Sequence, residues 1–263
     1  MDRESSIADR TTNHERRTTK RILKLTLAYD GTHYAGWQRQ RGQPTIQAAL
    51  EQVLRRVCNE RVRVVGSGRT DRGVHALGQV AHVHTRSRLP LTRLQRALNS
   101  LLPPDIVVTS INTVSATFHA RFSAKRKRYR YRMAIGPWVS PFVRRYVYWM
   151  RQPLQLVTMQ HAARALLGTH DFAPFQAMGR PTRETVRRIT QASITRHGEE
   201  LWVEIEATGF LYKMVRRIVG TLIHIGQGQR PPTLIREILK SSNSASVGPT
   251  APAQGLTLVS VSY

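Results

Sequence analysis

Eleven residues between two apolar stretches restrict this chain more than any other segment: Gly66-Ser67-Gly68-Arg69-Thr70-Asp71-Arg72-Gly73-Val74-His75-Ala76. The run Val62 to Val65 reads as a buried strand, and Gln79 to His84 as the strand that follows. Glycines at 66, 68 and 73 permit a tight loop and let a ligand come close to the main chain. The loop therefore holds up one carboxylate, Asp71, between Arg69 and Arg72. By itself the pattern also fits an ordinary surface turn, because G-x-G fragments are common.

The charge balance favours a functional reading. Lys plus Arg number 41 against 16 Asp plus Glu, a formal net charge of +25. Most of these cations are arginines, whose planar fork grips phosphate through paired hydrogen bonds. Such an excess implies a polyanionic partner bound in a salt-dependent manner. Arginine is spread through the folded body rather than gathered in a tail or amphipathic helix, which argues against a membrane surface. No stretch approaches the roughly 18 to 20 apolar residues of a membrane span. The first twenty residues carry Asp2, Glu4, Asp9 and Glu15 and no apolar core, unlike a secretory signal. Cys58 is the one cysteine, which leaves no internal disulfide and no cysteine metal site. A cytoplasmic protein is expected.

Residues 1–20 are polar and without periodicity, and read as a disordered basic arm. An N-terminal α/β domain is expected over 21–115, with strand Ile22–Tyr29, helix Thr45–Val57, the two strands around the glycine-rich loop, helix Leu91–Leu102 and strand Ile106–Ile111. That β-α-β-β-α-β order suits a ferredoxin-like, RNA-binding sheet. A C-terminal α/β domain is expected over 116–263, repeating the theme. Its expected strands are Arg128–Ile135, Tyr146–Met150, Val186–Thr195, Leu201–Ala207 and Leu256–Val261, and its expected helices Leu154–Leu167, Phe210–Ile225 and Pro232–Leu239. The fold class is thus α+β, two units with antiparallel sheets side by side and a basic cleft between them.

Within this frame Asp71 stands first. Flanking cations are expected to keep it ionised, as a nucleophile requires and a general acid does not. No second acid is placed to work with it, since Asp30, Asp105 and Asp171 all sit at turns. From Phe118 to Arg132 basic and aromatic residues interleave, with Arg121 in the leading loop. In a strand, Tyr129 and Tyr131 share one face while Arg128, Arg130 and Arg132 share the other. One face could stack on bases while the preceding loop binds phosphates. A buried arginine in the apolar stretch Phe210 to Gly220 would need an acid, so Arg216 or Arg217 is a partner for a buried aspartate; periodicity does not choose. Gly36-Trp37-Gln38-Arg39-Gln40 reads as either a core tryptophan with a polar loop or an RNA-contacting loop, with Arg39 as the contact. His82 and His84 share a strand face, but no third ligand has a recognisable spacing.

Several segments together resemble the tRNA pseudouridine synthase I (TruA) family. They are Tyr29-Asp-Gly with Gly36-Trp-Gln-Arg-Gln40, Gly68-Arg-Thr-Asp71-x-Gly-Val-His75, and Phe118-His-Ala-Arg-Phe-Ser123 leading into Arg128-Tyr-Arg-Tyr131. Leu167-Gly-x-His-Asp-Phe172, Phe210-x-x-x-Met-Val-Arg216-x-Ile-Val-Gly220 and Gly255-Leu256 complete the series, so the match runs from about residue 22 onward. The resemblance implies that Asp71 is the catalytic nucleophile, that Tyr129 stacks on the target uracil and that Arg216 pairs with Asp71. It also implies that Arg69 inserts into the RNA to flip the nucleotide and that Leu256 lines the uracil pocket. The substrate would be uridines 38, 39 and 40 of the tRNA anticodon stem-loop, the enzyme a homodimer, with no cofactor and no metal. Arg72 departs from the alanine usual at its position, which bears on RNA docking rather than on the chemistry.

Overall fold

The computed structural model describes residues 20–179, 182 and 184–263; the arm read over residues 1–20 lies, apart from Lys20, outside them. The first half runs β1 (Arg21–Tyr29), α1 (Ile46–Cys58), β2 (Val65–Gly66), β3 (His75–Thr85), α2 (Leu91–Leu101) and β4 (Ile106–Val114), the expected β-α-β-β-α-β order. Thr45 caps α1 by accepting a hydrogen bond from the Ala48 N–H, and Arg55 and Arg56 complement the other end of the helix dipole. Helix α1 buries Ile46, Leu50, Val53 and Leu54 and packs with α2 over the sheet.

Two strands differ from their sequence reading. The Val62–Val65 run yields only a two-residue strand, because side chains of α1 take its backbone groups: Gln47 Nε2 donates to the Val64 carbonyl (2.9 Å) and the Val64 N–H donates to Glu51 (3.0 Å). Strand β3 starts earlier than Gln79, since His75 and Ala76 pair with a strand distant in sequence.

The second half supplies β5 (Arg126–Ile135), β6 (Tyr148–Met150), α3 (Leu156–Arg164), β7 (Gly168–Asp171), β8 (Val186–His197), β9 (Glu200–Ala207), α4 (Met214–Gly226), α5 (Leu234–Ser241) and β10 (Leu256–Ser262). Helix α4 begins at Met214 rather than Phe210, because Lys213 adopts a left-handed backbone (φ 56°) that no α-helix continues through. Strand β7 has no apolar alternation to announce it and is held by backbone pairing with β8.

Where the sequence suggested two sheets side by side, the strands form one mixed sheet in the order β4-β1-β3-β10-β5-β9-β8-β7, with β2 beside β3 and β6 beside β5. The joint is β10, parallel to β3 on one edge and antiparallel to β5 on the other. The helix-covered face is one continuous core. It takes Leu23, Leu25 and Leu27 from β1, Tyr131 and Met133 from β5 and Val203 and Ile205 from β9.

Candidate active site

The glycine-rich loop leaves β2 above a buried tryptophan. The Trp37 indole is 2% exposed and packs so closely under Gly66 that a Cβ there would stand 2.6 Å from the ring. The Trp37 backbone N–H donates to the Thr70 carbonyl (3.1 Å), so this segment is the floor of the loop. A buried neutral network fixes the rest. Ser67 Oγ donates to Gln79 Oε1 (2.8 Å), Gln79 Nε2 donates to the Gly68 carbonyl (3.0 Å), and the Tyr29 and Thr70 hydroxyls lie 2.9 Å apart. Asp71 follows directly on this anchored stretch.

The opposite wall comes from α4. Arg216 Nη1 donates to Asp71 Oδ2 (3.1 Å), while its Nε donates to the Ala251 carbonyl (2.7 Å). Both side chains are largely covered, at 13% and 22% exposure, so the pair is less screened than a surface ion pair. Of the two arginines left open by periodicity, Arg216 therefore faces the loop; Arg217 turns to the Gln176 carbonyl (2.5 Å).

Together these walls enclose a cavity of about 670 Å³. Asp71, Arg216, Tyr129, Leu256, Arg69 and Arg121 all line it. Tyr129, at 8% exposure, presents its ring edge-on to Phe210 with centroids 5.0 Å apart. Burial, reinforced by the nearby Tyr29 and Asp71, raises its hydroxyl pKa well above the usual tyrosine range, so it remains a neutral phenol. Arg39 lies elsewhere: it pairs with Glu51 on α1, and the neighbouring Gln38 reaches the cavity instead. Arg72, beside Asp71 in sequence, turns away to Gln43 (3.1 Å).

Asp71 is the one carboxylate among the described residues of the cavity wall, whereas Arg63, Arg187 and Lys213 add positive charge that the sequence did not assign to the site, and Lys127 comes to it from the basic stretch expected to bind phosphates. For Lys127 the signal was present, since it lies two residues before Tyr129 and so on the same strand face. The strand arginines Arg128, Arg130 and Arg132 occupy the far face, against Glu206, Glu204 and Glu200 (3.0, 2.9 and 2.6 Å), and do not reach the cavity. His82 is equally structural: its Nδ1 accepts from the Ala120 N–H (3.1 Å), and its ring packs against His119. Among the described residues no group of three or more His, Cys, Asp or Glu side chains converges, and no helix is long and apolar enough to cross a membrane.

A basic cavity with one ion-paired carboxylate and a buried tyrosine suits a polyanionic ligand that carries a flat ring. The family model described as tRNA pseudouridine synthase matches residues 26–123 and 162–263. The tRNA pseudouridine synthase A of Moorella thermoacetica is 46% identical over 243 residues, covering 92% of this chain and 99% of that protein. The enzymes of the same name from Brevibacillus brevis and Thermoanaerobacter sp. (strain X514) are 45% and 43% identical, again over 92% of this chain and 99% and 100% of their own lengths. Both the separate sequence motifs and the matched length place the chain in one group of isomerases: it belongs to the tRNA pseudouridine synthase family.

Proposed function

We propose that the protein converts uridines 38, 39 and 40 of the tRNA anticodon stem-loop to pseudouridine, with Asp71 as nucleophile acting on a nucleotide flipped out of the RNA. The observation that carries this reading is Asp71, the one carboxylate among the described residues of the cavity wall, held 3.1 Å from Arg216 in a wall otherwise rich in cations. The reaction breaks the N1–C1′ bond, turns the base and joins C5 to C1′; the hydrogen on C5 is given up and N1 gains one. Atoms and electrons balance within the substrate, so no redox partner is required.

Each residue takes a part that its environment supports. Arg216 keeps Asp71 oriented and its charge balanced before a nucleotide enters. Tyr129 offers a buried, neutral aromatic surface to the uracil, and Leu256, 5% exposed, closes the apolar side. Arg69 and Arg121 stand in the wall where the RNA backbone would enter, and their contacts offset the few kcal/mol that flipping costs. In this reading residues 21–115 carry the catalytic loop, residues 116–263 carry Tyr129 and Arg216, and the enzyme works as a cytoplasmic homodimer without a cofactor. Leu77 and Val107, 58% and 41% exposed and lining one groove, offer apolar surface for the second copy.

The test is tritium release from a tRNA transcript labelled at uridine C5, incubated with purified protein in EDTA. Release to water by the wild type, lost in Asp71→Asn with tRNA affinity little changed, is expected. Equal release by the variant would remove Asp71 from the chemistry, and tight binding without any release would mark the chain as a binder of RNA.

A further inference from the structure

Strand β5 treats its cations differently on its two faces. The even positions Arg126, Arg128, Arg130 and Arg132 each meet a glutamate of β9, at 3.6, 3.0, 2.9 and 2.6 Å. The odd positions turn toward the core and cavity, and Lys127 is the one cation among them. Its register partners are Ala207 on β9 and Val261 on β10, neither of which offers a charge. Lys127 Nζ donates to the Ser67 carbonyl (2.5 Å), and among the described residues no carboxylate comes within ion-pair reach.

An ammonium in this position is costly. Burial, then the neighbouring Arg121 and Arg187, pushes its pKa from 10.5 down to about 8. Largely covered charges are normally paired, and no described carboxylate balances this one. One of its three N–H groups is taken by Ser67, which leaves donors for a ligand. The loop makes room for it as well: a Cβ on Gly68 would stand 2.9 Å from Nζ. The same side chain therefore touches the anchored stretch leading to Asp71 and sits on the strand that presents Tyr129.

We infer that Lys127 is a phosphate-binding group of the cavity, holding one phosphodiester of the RNA backbone beside the nucleotide presented to Asp71. The inference rests on the RNA-modifying reading above and adds an anion subsite to it. A phosphodiester supplies the missing negative charge and accepts the remaining N–H bonds, and a lysine serves such a site as a compact point charge. Binding at Lys127 would also tie the substrate at once to the loop, through Ser67, and to β5.

The experiment is a coupling cycle on binding, read without turnover. Synthetic anticodon stem-loop RNAs carry a single uncharged methylphosphonate at each linkage flanking the reactive uridine in turn, and Kd is measured for wild type, Lys127→Met and Lys127→Arg. Neutralising one linkage should weaken wild-type binding about tenfold, the scale of one charge-assisted contact. Lys127→Met should lose about the same on natural RNA, and then be indifferent to that methylphosphonate; Lys127→Arg should keep most of the affinity and the sensitivity. The slope of log K against log salt should fall by about one in Lys127→Met.

A methylphosphonate penalty undiminished in Lys127→Met would overturn the inference and leave the ammonium as a brace for the Ser67 carbonyl. The inference also falls if no flanking linkage matters to the wild type. Should Lys127→Met fail to fold, Lys127→Gln is read through the same cycle. Coupling observed in a protein that releases no tritium from C5 would sink the isomerase reading while leaving the phosphate subsite in place.

Discussion

The two halves of the sheet stabilise their polar groups by different means. Around the Asp71 loop, the buried polar side chains of the N-terminal half find neutral partners: Ser67 with Gln79, and Tyr29 with Thr70. Its buried His75 and His82 are both held below the usual histidine pKa, burial being the main cause in each. The C-terminal half relies on charge, with an arginine–glutamate ladder running between β5 and β9. Their long helices differ in the same spirit. Helices α1 and α4 each have 13 residues, yet α1 buries five of them and α4 ten. A neutral network can fix where a loop sits without altering the charge of what it presents. The charge on Asp71 is then balanced from across the cavity, by Arg216 on the more deeply buried helix. The site is complete only where the neutral half and the ionic half meet.

The sharpest way to break that division is Arg216→Met, which removes the cross-cavity partner and leaves the N-terminal network intact. Tritium release from C5-labelled tRNA should fall about a hundredfold or more, with tRNA affinity little changed. Activity near the wild-type level would mean that Asp71 does not need the ionic half.

Next comes Gly220→Ala in α4, where the new Cβ would lie 1.7 Å from the Pro249 carbonyl oxygen. Urea denaturation should show a loss of about 3 kcal/mol. Arg55→Ala, on the exposed face of α1, should change stability by no more than about 0.5 kcal/mol. Similar values for the two would contradict the contrast between the helices.

Acid should reach the two halves through different groups. Burial, then His119 and His84, lowers the His82 pKa from 6.5 to about 4, so the unfolded chain binds the extra proton between those values. Stability contributed by neutral His82 is therefore lost as pH falls from about 6.5 to about 4. For Glu200 and Glu206, burial alone would raise the pKa, but bonds from Arg132 and Trp202 and from Thr190 and Arg128 outweigh it, and both end below 4.5. Their contribution is present above 4.5 and lost as pH drops through the lower folded values. Urea titrations at stepped pH should show His82→Asn reducing the first fall, to which buried His75 also contributes, and sparing the second, since its amide oxygen can still accept from Ala120. A wild-type first fall unchanged in this variant would remove His82 as its cause.

The smallest effect concerns how the two helices begin. Thr45→Ala should cost α1 about 1 kcal/mol through loss of the Ala48 cap. At the start of α4, Lys213→Gly should instead gain a few tenths to about 1 kcal/mol by relieving the left-handed backbone, while tRNA binding weakens with one cavity cation gone. A thermal melt and a Kd measurement separate the two outcomes.

Much of this arrangement could be read from the residues. Alternation placed Tyr129 opposite the strand arginines, and the glycine spacing marked the loop carrying Asp71. What escaped depended on partners far away in sequence. The shortness of β2 follows from Gln47 and Glu51 capturing backbone groups, and the early start of β3 from pairing with β10. Strand β7 is held by its neighbour rather than by its composition. The choice of Arg216 over Arg217 needed the rotation of α4, and the isolation of Lys127 needed its register beside Ala207 and Val261.

Strand β10 sits at the middle of the sheet but follows every other strand in chain order. A ribosome must therefore translate through residue 262 before β3 and β5 gain the neighbour that joins them. Until those last residues are in place Leu256 is missing from the cavity wall, and Arg216 lacks the Ala251 carbonyl that steadies it. The order of synthesis thus leaves a nascent chain that already bears Asp71 and most of the basic residues without the strand that joins its two halves.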